Sequence, residues 1–139
     1  MAILLIICLV AHIIIQKYQS MRDAVKTFKA ISDETRLRIL NILLERECCV
    51  CEVMQALDIS QTRASRNLAA LYDAGFLSLR KDGLWSLYSI DKDSMQEYLS
   101  DLVQAVTKAL QQSKEVMLDR ERLKKAERVG TGCTDRMRR

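Results

Sequence analysis

Hydrophobic positions along this chain fall into short blocks whose spacing changes from helical to alternating and back to helical. From Arg22 to Ile31, the residues Val25, Phe28 and Ile31 recur at helical spacing and share a face. Ser32 follows, placed to cap a second helix whose positive end Asp33 and Glu34 favour. That helix carries Leu37, Ile39, Leu40, Leu43 and Leu44, with Arg36 and Arg38 on its flanks. Cys48-Cys49-Val50-Cys51 then opens a short helix that reaches about Leu57, and Asp58-Ile59-Ser60 forms a tight turn. Ser60 caps a helix from Gln61 to about Ala74, with Ala64, Leu68 and Leu71 inward and Gly75 as its C′ residue. Phe76 to Arg80 reads as a strand, Lys81-Asp82-Gly83 as a hairpin turn and Leu84 to Ile90 as the return strand. From about Asp93 to Val129 one long helix repeats Leu99, Leu102, Val106, Leu110 and Met117, before Gly130-Thr131-Gly132 breaks it.

A helix, a short helix, a tight turn, a capped helix and a β-hairpin, in that order, make a winged helix-turn-helix: a mainly α fold with a β-hairpin wing. The outer face of the capped helix carries Gln61, Thr62, Arg63, Ser65, Arg66 and Asn67. Gln, Asn and Arg can make paired hydrogen bonds to base edges, and Ser and Thr suit phosphates. Each is an ordinary exposed helix residue by itself; their grouping at a capped N-terminus points to double-stranded DNA. Arg80 and Lys81, read as the wing tip, would lie against a flanking backbone or minor groove. The long last helix is too long for so small a body to cover alone. Its face of Leu99, Leu102, Val106 and Leu110 is therefore assigned to a homodimer, which pairs with a pseudo-palindromic operator.

Composition narrows the chemistry. The chain has 139 residues, enough for one domain with a real core, and it contains no proline. His12 is its single histidine, which excludes a His-rich zinc site and a Ser-His-Asp triad. No Gly-rich cofactor loop is present, so an enzyme ranks behind any binding function. Residues 1–118 carry 14 Lys/Arg and 14 Asp/Glu, so the net charge of +4 resides in residues 119–139. A basic end of that kind suits a polyanion, although a solvated tail is the usual meaning. Ala2 to Ile15 is apolar except for His12, shorter than the ~20 residues that span a bilayer upright. Three readings stay open for it: an extension dispensable to a fold starting at Met21, a membrane or interface segment, or a helix packed on the dimer. Membrane contact through residues 2–15 is not the favoured one. The expected layout is this extension (1–20), a winged-helix domain (21–129) and a flexible basic tail (130–139), in the cytoplasm.

Three stretches carry a family resemblance. Phe28-Lys29-Ala30-Ile31-Ser32-Asp33-Glu34-Thr35-Arg36-Leu37-Arg38-Ile39-Leu40 resembles the opening signature of the ArsR family of winged-helix metalloregulators. Asp58 to Leu68 is similar to its recognition-helix motif, and Leu71 to Leu77 with Asp82 to Tyr88 to its helix-to-wing segment. The resemblance covers roughly residues 22–95 and implies a homodimeric repressor that leaves its operator when an inducer binds. Glu47-Cys48-Cys49-Val50-Cys51-Glu52 resembles the arsenic-responsive subgroup, whose motif is Cys-x-Cys-x-x-Cys. Cys49 and Cys51 match its first two cysteines, Met54 stands in place of the third, and Cys48 is available to supply the missing thiolate.

The chemistry agrees with that implication. A soft trivalent arsenic or antimony centre prefers thiolates to oxygen or imidazole, and three thiols within four residues offer three soft ligands. Zinc would want a fourth ligand, and no further histidine is available. At ~100° per residue, Cys49 and Cys51 would point about 200° apart on a regular helix, so inducer binding is expected to unwind the start of that helix. No constitutive cofactor is implied. The alternative on the same fold is a repressor responsive to thiol oxidation or reactive sulfur, with Cys48 or Cys49 pairing with Cys51. The bland reading is a set of buried small hydrophobes. Cys133 in the tail is either a fourth thiol or without a role, and Cys8 shares the open readings of residues 1–20.

Overall fold

The structure, a computed structural model, describes residues 1–17 and 20–129. Its elements are α1 (Ala2–Lys17), α2 (Met21–Ile31), α3 (Glu34–Leu43), α4 (Val50–Leu57), α5 (Gln61–Asp73), β1 (Ser78–Asp82), β2 (Trp85–Ser89), α6 (Glu97–Ala109) and α7 (Lys114–Lys125). Residues 130–139, expected as a tail and containing Cys133, lie outside the described residues.

Local chemistry sets most boundaries. Ser20 and Asp23 form a reciprocal capping box that starts α2. The predicted cap of the next helix shifts by one residue. Asp33 is the N-cap of α3, its carboxylate accepting from Arg36 N at 3.0 Å, while Ser32 closes α2. Asp satisfies the orphan amides as well as Ser does and adds favourable charge at the positive helix end. Arg36 then reaches back, donating from Nε to Ala30 O at 2.5 Å and from Nη2 to Lys29 O at 3.0 Å. Gly75 has φ +87°, and Gly75 N and Phe76 N donate to Tyr72 O and Leu71 O, both at 3.0 Å. This is the left-handed C-terminal cap expected of a glycine.

The core lies around α3. Ile39, Leu40 and Ile42 are fully buried against Val53 and Ala56 of α4, Leu68 and Leu71 of α5, Phe76, and Val103 of α6. The strands pair antiparallel from Ser78↔Ser89 to Asp82↔Trp85, leaving Gly83 and Leu84 as a two-residue loop. Gly83 has φ +58° and Leu84 does not, the arrangement of a type II′ turn.

The expected single helix from Asp93 to Val129 is two helices. The chain turns at 110–113, and Ser113 caps α7 by accepting from Val116 N at 3.4 Å. α7 folds back onto α3 and α4, burying Val116 and Leu123. Buried Asp119 receives Arg38 Nε and Nη2, each at 2.7 Å. Burial of side chains like Val116 and Leu123 is worth roughly 1.5–3 kcal/mol each, which favours folding back over a solvated helical arm. Consequently Leu99 is 3% exposed and belongs to this chain's own core rather than to a free dimer face, while Leu102, Val106 and Leu110 are half-buried. Apolar residues left open in the body include Met117 and Leu118 on α7 and, on α2, Val25 and Phe28, read from sequence as part of a helix's apolar face and 43% and 56% exposed. Every described side chain from Met1 to Ile14 is also exposed.

Candidate nucleic-acid interface and cysteine cluster

α4, the turn at 58–60 and α5 form the helix-turn-helix. The turn is tight because Asp58 takes a left-handed conformation (φ 55°, ψ 53°) and its N–H bonds to Met54 O. Ser60 then caps α5 by accepting from Arg63 N at 3.2 Å, as its sequence position predicts. Ala64, Leu68 and Leu71 hold α5 on the core, which turns the opposite face outward. A concave polar basin of about 630 Å³ runs along that face, lined by Asp33, Arg36, Ser60, Thr62, Arg63, Arg66, Asn67 and Ala70.

The six candidate readers divide into two groups. Arg63 Nη2 donates to the buried Thr35 Oγ1 at 2.7 Å. Asn67 Nδ2 donates to Arg63 O at 2.8 Å, and its Oδ1 accepts from Arg36 Nη1 at 3.5 Å. Both are engaged with their own chain. Thr62 and Arg66 are exposed, with Gln61 and Ser65 half-buried beside them, and among the described residues none of these four has a side-chain hydrogen bond. Arg36, which sequence reasoning placed only on a flank, lines the same basin. Its signal was spacing: it follows the Asp33 cap by three residues and so returns to the mouth of α5.

The wing differs from its sequence reading. Arg80 and Lys81 lie within β1, and the tip is Gly83-Leu84. Arg80 forms a bidentate pair with Glu47, its Nε donating to Oε2 at 2.8 Å, and this pair raises the Arg80 pKa and lowers that of Glu47. Lys81 Nζ donates to Ser86 Oγ at 2.6 Å. The hairpin turned out one residue tighter than predicted, which moved both cations back from the tip.

The cysteines occupy three different settings. Cys48 precedes the helix and forms a β-bridge to the wing, with Cys48 N donating to Tyr88 O at 3.0 Å and Tyr88 N to Cys48 O at 2.9 Å. Its side chain enters the main core, Sγ lies 3.5 Å from Arg46 O, and burial pushes the thiol up to about 12. Cys49 is the N-cap of α4, with extended backbone at φ −84°, ψ 171°. Cys51 sits in the first turn. The expectation that Cys49 and Cys51 point apart on a regular helix is therefore corrected: Cys49 lies off the helix, and the two sulfurs are 2.9 Å apart. They pack with Leu87 and Trp85 in a small core of their own. Burial raises the Cys49 thiol as well. Cys8 and Cys48 are free thiols; Cys51 is not. Cys48 and Cys51 stand three residues apart, a spacing used by dithiol redox sites, yet their side chains enter separate cores. Among the described residues no three His, Cys, Asp or Glu side chains converge as a metal site.

Behind the pair, Glu52 is 2% exposed and held between Arg46 and Arg128, with Arg128 Nε 2.5 Å from Oε1. Arg128 also lies 3.9 Å from Asp82 at the end of β1. Gln55 donates to Cys51 O at 2.9 Å and to Glu127 O at 2.7 Å. The segment after α7 is thus fastened over the cysteine-bearing helix.

Residues 33–78, the span from the α3 cap to the first wing strand, match the family described as bacterial regulatory protein, arsR family. The Pseudomonas putida arsenic resistance transcriptional regulator ArsR2 is 37% identical over 83 residues, covering 59% of this chain and 71% of that protein. The chain belongs to the arsR family. The Escherichia coli arsenical resistance operon repressor is 46% identical over 67 residues, or 48% of this chain. This arsR-family chain spans 57–66% of the length of the first three curated relatives it matches, which are named for cadmium or arsenic resistance. The homodimeric winged helix-turn-helix DNA-binding domain of Mycobacterium bovis Mb0332 superposes with a TM-score of 0.55 at 27% identity, covering 70% of this chain and 92% of that one. ArsR-family proteins are DNA-binding transcriptional regulators rather than enzymes, and the winged helix-turn-helix is their fold.

Proposed function

We propose that this arsR-family protein is a homodimeric transcriptional repressor whose α5 reads a pseudo-palindromic operator and which trivalent arsenic or antimony releases by binding cysteine thiolates. The observation that carries the inducer is the Cys49–Cys51 sulfur pair, gathered at 2.9 Å at the start of α4, the helix against which α5 is packed. Two adjacent sulfurs and one further donor satisfy a soft trivalent centre. Relatives named as arsenical resistance repressors support the same reading.

The third donor is Cys48 or another group. The Cys48 side chain and the pair lie in separate cores, and the Cys48 backbone is held by two hydrogen bonds to Tyr88. Those bonds tie the start of α4 to the wing, so recruiting Cys48 would move both DNA-contacting parts together. A 100-fold loss of operator affinity needs a coupling of about 2.7 kcal/mol, an ordinary allosteric magnitude. For the dimer, the exposed Val25 and Phe28 on α2 and the half-buried Leu102, Val106 and Leu110 on α6 are the faces for a second copy.

The reading is tested by gel shift on the DNA upstream of its own gene, with a thiol-free phosphine reductant present so that Cys51 is a thiol. Arsenite should release the reduced dimer, and a complex unchanged by saturating arsenite would overturn the inducer. Thiol oxidation is the second reading, supported by the same sulfur pair and by Cys51 not being a free thiol. Release by peroxide alone, reversed by a dithiol, would select it.

A further inference from the structure

The surface of helix α1 is unusual. Ile3, Leu4, Leu5, Ile6, Ile7, Leu9, Val10, Ile13 and Ile14 are 46–73% exposed, and they occupy every side of the helix. His12 is the only polar side chain between Ala2 and Ile15. A helix that meets water on one side keeps a polar face there, whereas one apolar all round belongs in a fully apolar medium. Packing against a second α1 would cover one stripe of each helix and leave the other sides in water. A lipid bilayer covers all of them.

Length and charge say how such a bilayer would be met. Sixteen residues make a helix of about 24 Å, against a hydrocarbon core of about 30 Å. No described helix is long and apolar enough to cross a membrane, so α1 fits within one leaflet. Lys17 ends the helix, and Arg22, Lys26 and Lys29 project exposed from α2 immediately after it, with Asp23 the single acidic residue among them. Cations at that position attract anionic headgroups and supply the second signal that a short apolar segment needs for stable attachment.

We propose that α1 inserts into the anionic face of a phospholipid bilayer and holds the winged-helix body beside the membrane. The exposed cations at 22, 26 and 29 hold the headgroups, and the body keeps its own α5 face outward.

Vesicle flotation of the purified full chain tests this, using phosphatidylglycerol–phosphatidylcholine (1:3) vesicles and pure phosphatidylcholine vesicles. The full chain should float with the anionic vesicles, and at least ten-fold less should float with the neutral ones. A chain beginning at Ser20, which keeps the α2 capping box, should remain at the bottom with both. Leu5→Asp/Leu9→Asp should lose at least ten-fold in the floated fraction while keeping operator binding, because these side chains are exposed and belong to none of the core clusters. Full-chain protein that stays unfloated with anionic vesicles would overturn the proposal. So would assembly of lipid-free full chain, but not of the Ser20 chain, into larger oligomers that vesicles do not dissolve; that result would assign α1 to a second copy.

Discussion

Replacing Asp119 by Ala tests whether the C-terminal helix really folds back. In a continuous helix running out from the body, Asp119 would be solvated and its substitution would cost within about 0.5 kcal/mol. In the structure its side chain is 1% exposed and receives two 2.7 Å hydrogen bonds from Arg38, whose own side chain is 17% exposed. Removing one member of a buried pair typically costs 3–5 kcal/mol, because the remaining charge is left without a partner. Arg38 retains some solvent and a 3.2 Å hydrogen bond to Leu57 O, so the lower end, about 3 kcal/mol, is expected. At about 4 °C per kcal/mol for a domain of this size, Tm should fall by roughly 12 °C. Urea unfolding followed by circular dichroism supplies the free energy, and thermal melting supplies Tm. Arg38→Met/Asp119→Leu should recover most of the loss, since it replaces both charges with apolar volume, and the double-mutant cycle should give a coupling above about 1.5 kcal/mol. A loss below about 1 kcal/mol in Asp119→Ala would refute the folded-back packing.

Other expectations follow from individual sites. Gly75→Ala should destabilise by about 1–2 kcal/mol, because φ is +87° and the added Cβ would stand 3.3 Å from Leu99 Cδ1; a neutral result would contradict the left-handed cap. Arg66→Ala should weaken operator binding by about 1–3 kcal/mol per lost bidentate contact while leaving nonspecific DNA less affected, and unchanged operator affinity would displace Arg66 from the reading face. Arg80→Ala should change the salt dependence less than Lys81→Ala, because Arg80 is already neutralised by Glu47. Cys49→Ser and Cys51→Ser should still bind operator but lose arsenite release. Trp85, the chain's single tryptophan, packs on that sulfur pair, so its emission should shift on arsenite addition to the reduced wild type and not in these variants. Cys48→Ser separates the two sources of a third bond, with full loss of response if Cys48 is the donor and partial loss if it is not. Stability should also fall as pH rises from about 9 toward 12. In that range unfolded Cys48 loses its proton while buried native Cys48 keeps it, so the native state binds more protons. Cys48→Ala should flatten this slope in urea titrations at several pH values.

The winged-helix order, the caps at Ser60 and Gly75, and the inward side of α5 were legible in the sequence because each depends on residues close in the chain. A serine before an apolar-periodic run, or a glycine after one, acts through hydrogen bonds spanning a few residues. The polar outer face of α5 follows by exclusion once its inner face is known. The sequence also named the cysteines and the soft ligands they suit, because donor chemistry belongs to the residue type. Their arrangement was not legible. Whether Cys49 lies on or off the helix depends on where α4 begins, and a bridge to Tyr88, 40 residues away, sets that point. The end of the chain was misread for a similar reason. Period alone cannot separate one long amphipathic helix from two that pack together, and the choice was made by burial of Val116 and Leu123 and by pairing of Asp119 with Arg38, 81 residues apart. Arg63 and Asn67 looked like free readers until Thr35 and Arg36 engaged them. Residue type and local spacing determined what each group can do. Long-range packing decided which groups meet, because those contacts join segments whose separation in sequence carries no periodic signal.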